Sequence, residues 1–285
     1  MQLFLPLLIS LVVGYMPATP SFFPTDEKPT GHPGHAITEV RTDVGWVGPN
    51  QTFNVIVLVT PDEGWHVYWK NSGASGSPTE FELNAPEGFS VGEPIYPRPS
   101  IFFGEEGQTY GYDKPAAFFI PVTAPPFLSD GQATISITTS WLSCKKSCVM
   151  GEQTKEVTFS THINAQGPLN KDMQLSQWTK ALPRSISDLE QGAVMVVGNT
   201  LVLSGVTSMH PLLFIGIENR VVRFEQTERL SVDDNVFRLH IPLLIDAYEQ
   251  GQHTAIIEGL LLFGRNATDP SYIINTEVKP GTRAQ

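Results

Sequence analysis

The chain has 285 residues, 41% of them hydrophobic, and a net charge of -11. That is enough apolar material for packed cores and enough length for two domains. The charge argues against nucleic acid as a partner, since the sequence has no basic stripe to neutralise phosphates, and acidity by itself names no other. The 24 glycines and 23 prolines are scattered rather than clustered and fit a turn-rich β protein.

Residues 3–16 form an apolar run of signal-peptide length, too short to span a bilayer comfortably. No Lys or Arg precedes it and no clean small-x-small site follows, Ala18 being the best cleavage candidate. We read residues 1–18 as a signal peptide or amino-terminal anchor, with a buried amino-terminal element as the alternative. Export to an oxidising compartment such as the periplasm would let cysteines pair. No later segment offers the ~18 uninterrupted apolar residues of a membrane helix, so the mature protein is expected to be soluble or held only by its amino terminus. Residues 19–35, rich in Pro, Gly and charge, read as a linker. His32 and His35 lie in it as His-Pro-Gly-His; two ligands on a mobile segment would bind a metal weakly, so a linker rather than a metal site is expected.

From Ala36 the signals are β. Phe53, Val55, Val57 and Val59 alternate on one face, and residues 117–123, 134–142 and 154–163 repeat the pattern between turn residues. Short strands with Pro/Gly turns predict an antiparallel sandwich over residues 36–165. Leu175, Trp178 and Leu182 are spaced for one helical face that Pro183 stops, so residues 166–189 read as a connector with one short helix. A second β series begins at Ala193, where residues 194–197 and 201–203 flank a hairpin turn at Gly198-Asn199. Residues 190–285 are expected to form a second β-sandwich-like domain for support or docking. The fold class is therefore all-β. Two glycosylation patterns, at Asn50 and Asn266, are too common by chance to carry weight.

The chain's two cysteines lie in Trp141-Leu142-Ser143-Cys144-Lys145-Lys146-Ser147-Cys148, directly after an alternating strand. A staple closing so short a loop adds only about 2 kcal/mol by chain entropy, and a chain this long can bury a core without it. Lys145 and Lys146 would favour thiolate, the form that attacks disulfides and binds soft metals; the alternative makes them solvated turn residues. A redox pair is the first reading of Cys144 and Cys148, ahead of a structural disulfide or a metal site.

Four segments in order resemble the amino-terminal periplasmic domain of the thiol:disulfide interchange protein DsbD, particularly its ScsB-like branch. They are Gly64-Trp65-His66-Val67-Tyr68-Trp69-Lys70-Asn71, Ile95-Tyr96-Pro97-Arg98-Pro99, Tyr110-Gly111-Tyr112 and the Trp-x-x-Cys-x-x-x-Cys at Trp141. Trp178 to Pro183 is similar to the helix that commonly follows. The resemblance implies an immunoglobulin-like sandwich in which Cys144 and Cys148 exchange electrons with periplasmic thioredoxin-fold proteins, without a cofactor. Met150 stands where proline is common in the family. The sequence contains neither the family's multi-span membrane domain nor its carboxy-terminal Cys-x-x-Cys domain, so a separate membrane-embedded thiol reductase is implied as electron source. Phe102 and Phe103, before the acidic, Gly-containing residues 104–108, resemble the family's cap loop over the disulfide; the alternative is that both only pack. Trp65, Tyr68 and Trp69 read as sandwich core or rim, Trp141 as core. His66 reads as a hydrogen-bonded packing histidine before it reads as a proton carrier for the thiols.

Two competitors remain. A copper-tolerance protein would hold Cu(I) with Cys144, Cys148 and Met150. An interaction scaffold would carry an inert disulfide. Nucleotide-binding and zinc-finger readings fail, since there is no P-loop and no second cysteine pair. A serine hydrolase is not expected either, because the Gly-x-Ser-x-Gly at Gly88 to Gly92 is followed by Pro94 and Pro97 rather than by the helix that such a nucleophile turn opens.

Overall fold

The structure is a computed structural model that describes residues 31–209, 211–225, 228–245 and 254–278. The apolar run at residues 3–16, the cleavage candidate Ala18 and the linker up to residue 30 lie outside the described residues.

The alternation at Phe53, Val55, Val57 and Val59 belongs to the strand Thr52–Pro61, which pairs with Ala36–Thr42 on one side and Ala116–Thr123 on the other; Ser90–Val91 completes this sheet. The facing sheet runs Trp46–Val47, Cys148–Thr161, Gly131–Cys144, His66–Gly73, Gly107–Tyr112, Ser100–Gly104, with Glu80–Asn84 also pairing onto Gly131–Cys144. Inward residues of the two sheets, including Phe53, Val57, Phe118, Ile120, Ile135, Ile137 and Trp141, make one core. Period-two patterning thus decides which face each strand buries.

The strand Thr52–Pro61 is buried on its other face too, because the connector helix lies there. Met173–Lys180 is helical, and Asp172 caps it by accepting a 2.7 Å bond from the Leu175 N–H. Leu175, Trp178 and Leu182, the predicted face, pack on Ile56, Leu58, Ala117 and Phe119.

The second β series forms two further sheets. One runs Arg184–Ser185, Ser271–Val278, Ala255–Phe263, Pro211–Ile217; the other runs Ala193–Val197, Thr200–Val206, Val236–Ile245, Val222–Phe224, with Arg229–Asp233 also on Val236–Ile245. Leu201, Leu203, Phe237, Ile241, Ile257 and Phe263 fill the space between them. The expected hairpin is present: Val197 pairs with Thr200, and Gly198 takes φ +58°, where a side chain would be strained.

Ile215, Leu260 and Leu262 of this second sandwich pack into the core cluster of the first. Around them Lys70 Nζ meets Glu258 at 2.6 Å, Asn71 Nδ2 donates to the Gly216 carbonyl, and the buried Arg98 guanidinium donates to the carbonyls of Gly264 and Pro270, both at 3.0 Å. Arg98, within Ile95-Tyr96-Pro97-Arg98-Pro99, therefore brackets the two sandwiches together.

His32 and His35 do not hang free. Both ring Nδ1 atoms reach the Asp62 carboxylate, at 2.6 and 3.2 Å, and the His35 ring stacks on Trp65 at 3.6 Å. The Gly34 carbonyl accepts the Trp141 indole N–H at 2.8 Å, and a Cβ on Gly34 would lie 2.4 Å from Gly151 Cα. Gly34 lets this strap lie so close to the cysteine hairpin, and Gly151 leaves room for the Trp141 indole that holds it, since a Cβ there would lie 2.4 Å from Trp141 Cε2. No group of His, Cys, Asp and Glu among the described residues is arranged to hold a metal ion.

Candidate redox site

Cys144 ends the strand Gly131–Cys144, Cys148 begins the strand Cys148–Thr161, and the two stand opposite each other at the end of an unbroken antiparallel ladder. Directly opposed residues in such a ladder project to the same face with Cβ atoms about 4.5–5.5 Å apart. Strand register therefore brings the sulfurs together, and they form a disulfide with the Cα atoms 4.2 Å apart. The Lys145 N–H closes the turn on the Ser147 carbonyl at 3.1 Å. The two halves of the bond differ in access: Cys144 is buried at 4% exposure, and Cys148 is exposed.

A third strand covers the buried half. His66 pairs with Cys144, and Val67 with Ser143, at the start of His66–Gly73. The imidazole stacks on Phe102 (4.7 Å, 27°) and meets Tyr68 edge-on (5.1 Å, 72°). Among the described residues it has these ring contacts and no hydrogen-bond partner, unlike the bonded packing histidine expected from sequence. Burial holds its pKa below the ordinary histidine value, with the Asp113 carboxylate pulling weakly the other way. Burial, and then Glu106, push the Tyr68 phenol up.

Phe102 and Phe103 lie in Ser100–Gly104, the edge strand that forms a hairpin with Gly107–Tyr112, closed where Gly104 pairs with Gly107. Neighbours on a strand point to opposite faces, and the two rings part accordingly. Phe102 lies half-buried on His66, while Phe103 is 78% exposed. Lys145 and Lys146 are both exposed, and the Lys145 ammonium reaches the Glu63 carbonyl at 3.3 Å across the Asp62-to-Trp65 turn. Met150 is exposed, pairs with Leu142, and shares a face with Cys148 two residues away. Tyr68, Trp69 and Trp141 are buried, as core positions should be.

Sequence reasoning did not foresee that His66 stands opposite Cys144, nor that Asp113 faces it. Its place inside the Gly-Trp-His motif was a signal. The register that pairs residues 78 positions apart was not readable from spacing.

Residues 38–160 match the family model described as thiol:disulfide interchange protein DsbD, N-terminal. Among solved structures the chain is similar to the N-terminal periplasmic domain of ScsB from Proteus mirabilis, with a TM-score of 0.53 and 17% identity, over 87% of this chain and 94% of that one. At that identity the likeness is one of fold. A protein of unknown function from Porphyromonas gingivalis W83 aligns with a TM-score of 0.27 and 10% identity, over 86% of this chain and 100% of that one. The E. coli chaperone DraB aligns with a TM-score of 0.21 and 9% identity, over 84% and 98%. No curated protein matches the chain. The matched segment holds the disulfide, the Gly-Trp-His strand and the cap-like hairpin on one immunoglobulin-like sandwich, and over residues 38–160 the chain is similar to the amino-terminal domain of DsbD.

Proposed function

We propose that this protein is a periplasmic thiol–disulfide exchange module that relays electrons through Cys144 and Cys148. The observation that carries the reading is the asymmetry of the bond, one half exposed at a hairpin tip and the other buried beneath it. An incoming thiolate then attacks Cys148 Sγ in line, and Cys144 leaves as thiolate. A second thiolate from the donor resolves the mixed disulfide and frees Cys148, so two electrons enter the pair. Donation reverses these steps. The match of residues 38–160 to the DsbD amino-terminal-domain model supports thioredoxin-fold proteins as exchange partners and a membrane-embedded reductase as electron source. No helix among the described residues is long and apolar enough to cross a membrane.

The test is a thiol count on the full chain in graded glutathione buffers, with and without Cu(I). An exposed exchanging pair should titrate with a midpoint above roughly -300 mV, the level below which structural disulfides resist reduction. A much lower midpoint, or no reaction with any thioredoxin-fold protein, removes the redox reading. The copper reading draws on the shared face of Met150 and Cys148; stoichiometric Cu(I) uptake by the reduced chain, lost in Met150→Leu, would favour it.

A further inference from the structure

The exchange chemistry has a proton problem at its buried end. When the reduced module donates electrons, Cys148 thiolate attacks the partner disulfide, forming a mixed disulfide and releasing one partner thiolate. Closure then requires Cys144 to attack Cys148 Sγ. Cys144 is buried at 4% exposure, and burial in apolar surroundings holds a thiol protonated. Something beside it must take the proton.

We infer that His66 is the proton acceptor for Cys144. The inference rests on the exchange function proposed above. Three observations point to it. His66 and Cys144 are direct partners in an antiparallel ladder, which puts imidazole and sulfur on one face. The imidazole has no hydrogen-bond partner among the described residues, so a ring nitrogen has a lone pair to offer. Phe102 and Tyr68 hold the ring from two sides and limit its rotation. Burial favours the neutral imidazole, the form that accepts a proton.

The step balances. The Cys144 S–H proton moves to an imidazole nitrogen, and Cys144 Sγ forms the bond to Cys148 Sγ. The bond from Cys148 to the partner breaks, and the second partner thiolate leaves with the electron pair. The imidazolium then returns its proton to that thiolate or to water. The charged and titratable groups around His66 are Asp113 beyond Tyr112, Glu106 at the tip of the cap-like hairpin, Tyr68 on its own strand, and Lys145 after Cys144. Lys145 is turned toward the Glu63 carbonyl and is exposed.

The test follows the reduced full chain against a chromogenic aryl disulfide, dithiobis(nitrobenzoate), under single-turnover conditions. Attack by Cys148 releases the first thiolate, and closure by Cys144 releases the second; Cys144→Ser should stop after the first. At pH 7 a thiol of ordinary pKa near 8.5 is only about 3% ionised, so full deprotonation is worth about thirtyfold. His66→Phe keeps a ring against Phe102 and should slow the second release by about ten- to thirtyfold, leaving the first within about twofold. Its second phase should also climb about tenfold per pH unit toward the ordinary thiol pKa, where the parent's has levelled off. Equal second phases with equal pH dependence in parent and variant overturn the inference and leave the exchange reading intact. A parent that never closes the disulfide overturns both. If His66→Phe does not fold, the parent still decides. His66 titration followed by NMR should differ between oxidised and reduced chains, and an identical titration overturns the inference.

Discussion

Two hairpins of this molecule solve the same problem in opposite ways. In the second sandwich, Ala193–Val197 turns into Thr200–Val206 through Gly198-Asn199, and the reversal rests on a glycine in the left-handed region. In the first, Gly131–Cys144 turns into Cys148–Thr161 through three exposed polar residues, and the reversal is held by a covalent bond across the last pair of the ladder. The glycine turn has one state. On the exchange function proposed above the sulfur turn has two, and the long ladder beneath it is the element that would keep the strands aligned when the bond opens.

Substitution at the two turns should separate these roles completely. Cys148→Ser should abolish exchange with a thioredoxin-fold probe, read as loss of the mixed disulfide on a gel. Gly198→Ala should cost about 1 kcal/mol in denaturant unfolding and leave exchange unchanged. Loss of exchange in Gly198→Ala would mean that the second sandwich takes part in the chemistry.

The bracket between the halves comes next in size. Arg98→Ala leaves the carbonyls of Gly264 and Pro270 without their buried cationic donor, which should cost about 3 kcal/mol. The loss should show as a second unfolding transition in calorimetry, while the disulfide keeps its midpoint. A related proposal is that residues 36–165 fold alone and keep exchange. That fragment lacks Ile215, Leu260 and Leu262, so it should melt earlier than the full chain. An unfolded fragment, judged by tryptophan fluorescence and proteolysis, would mean that the two sandwiches share one core.

The cap-like hairpin offers a finer distinction between neighbours. Phe102→Ala should speed alkylation of the reduced thiols by about tenfold, the effect of a lid that costs about 1.4 kcal/mol to open. Phe103→Ala should change it little, since that ring faces solvent. Equal effects from both would assign the hairpin to packing.

The smallest effect expected is at acid pH. Burial raises the Asp62 pKa, but the bonds from His32 and His35 outweigh it and hold the carboxyl below its ordinary value. A carboxyl lowered in the folded state contributes stability that is present above its unfolded pKa and is lost as pH falls through the folded value. The strap should therefore stay seated at neutral pH and loosen below about pH 4. Trp65 fluorescence should follow the release, and Asp62→Asn should abolish the transition.

Much of this fold was legible because short-range pattern and tertiary burial agree. Phe53, Val55, Val57 and Val59 alternate in sequence and line one core face in space. Leu175, Trp178 and Leu182 recur at helical spacing and lie on one hydrophobic patch. Gly198-Asn199 is a local turn signal and becomes a local turn. The cysteine pair was legible for the same reason, since four residues separate its members and a strand ends at the first. His32 and His35 misled because composition reports solvation of a free segment. It does not report that Asp62, Trp65 and the backbone at Gly151 provide a seat.

The sequence by itself determined the all-β class, the short connector helix, the cysteine pair and the family landmarks around it. Those depend on periodicity and on motifs whose residues are close in the chain. Only the tertiary structure decided that Cys144 is buried and Cys148 open, that His66 stands opposite Cys144, that Phe102 covers the imidazole while Phe103 faces water, and that Arg98 clasps the second sandwich. Each of these depends on strand register or sheet packing between distant segments, and a slip of one residue in register would turn every such side chain to the other face.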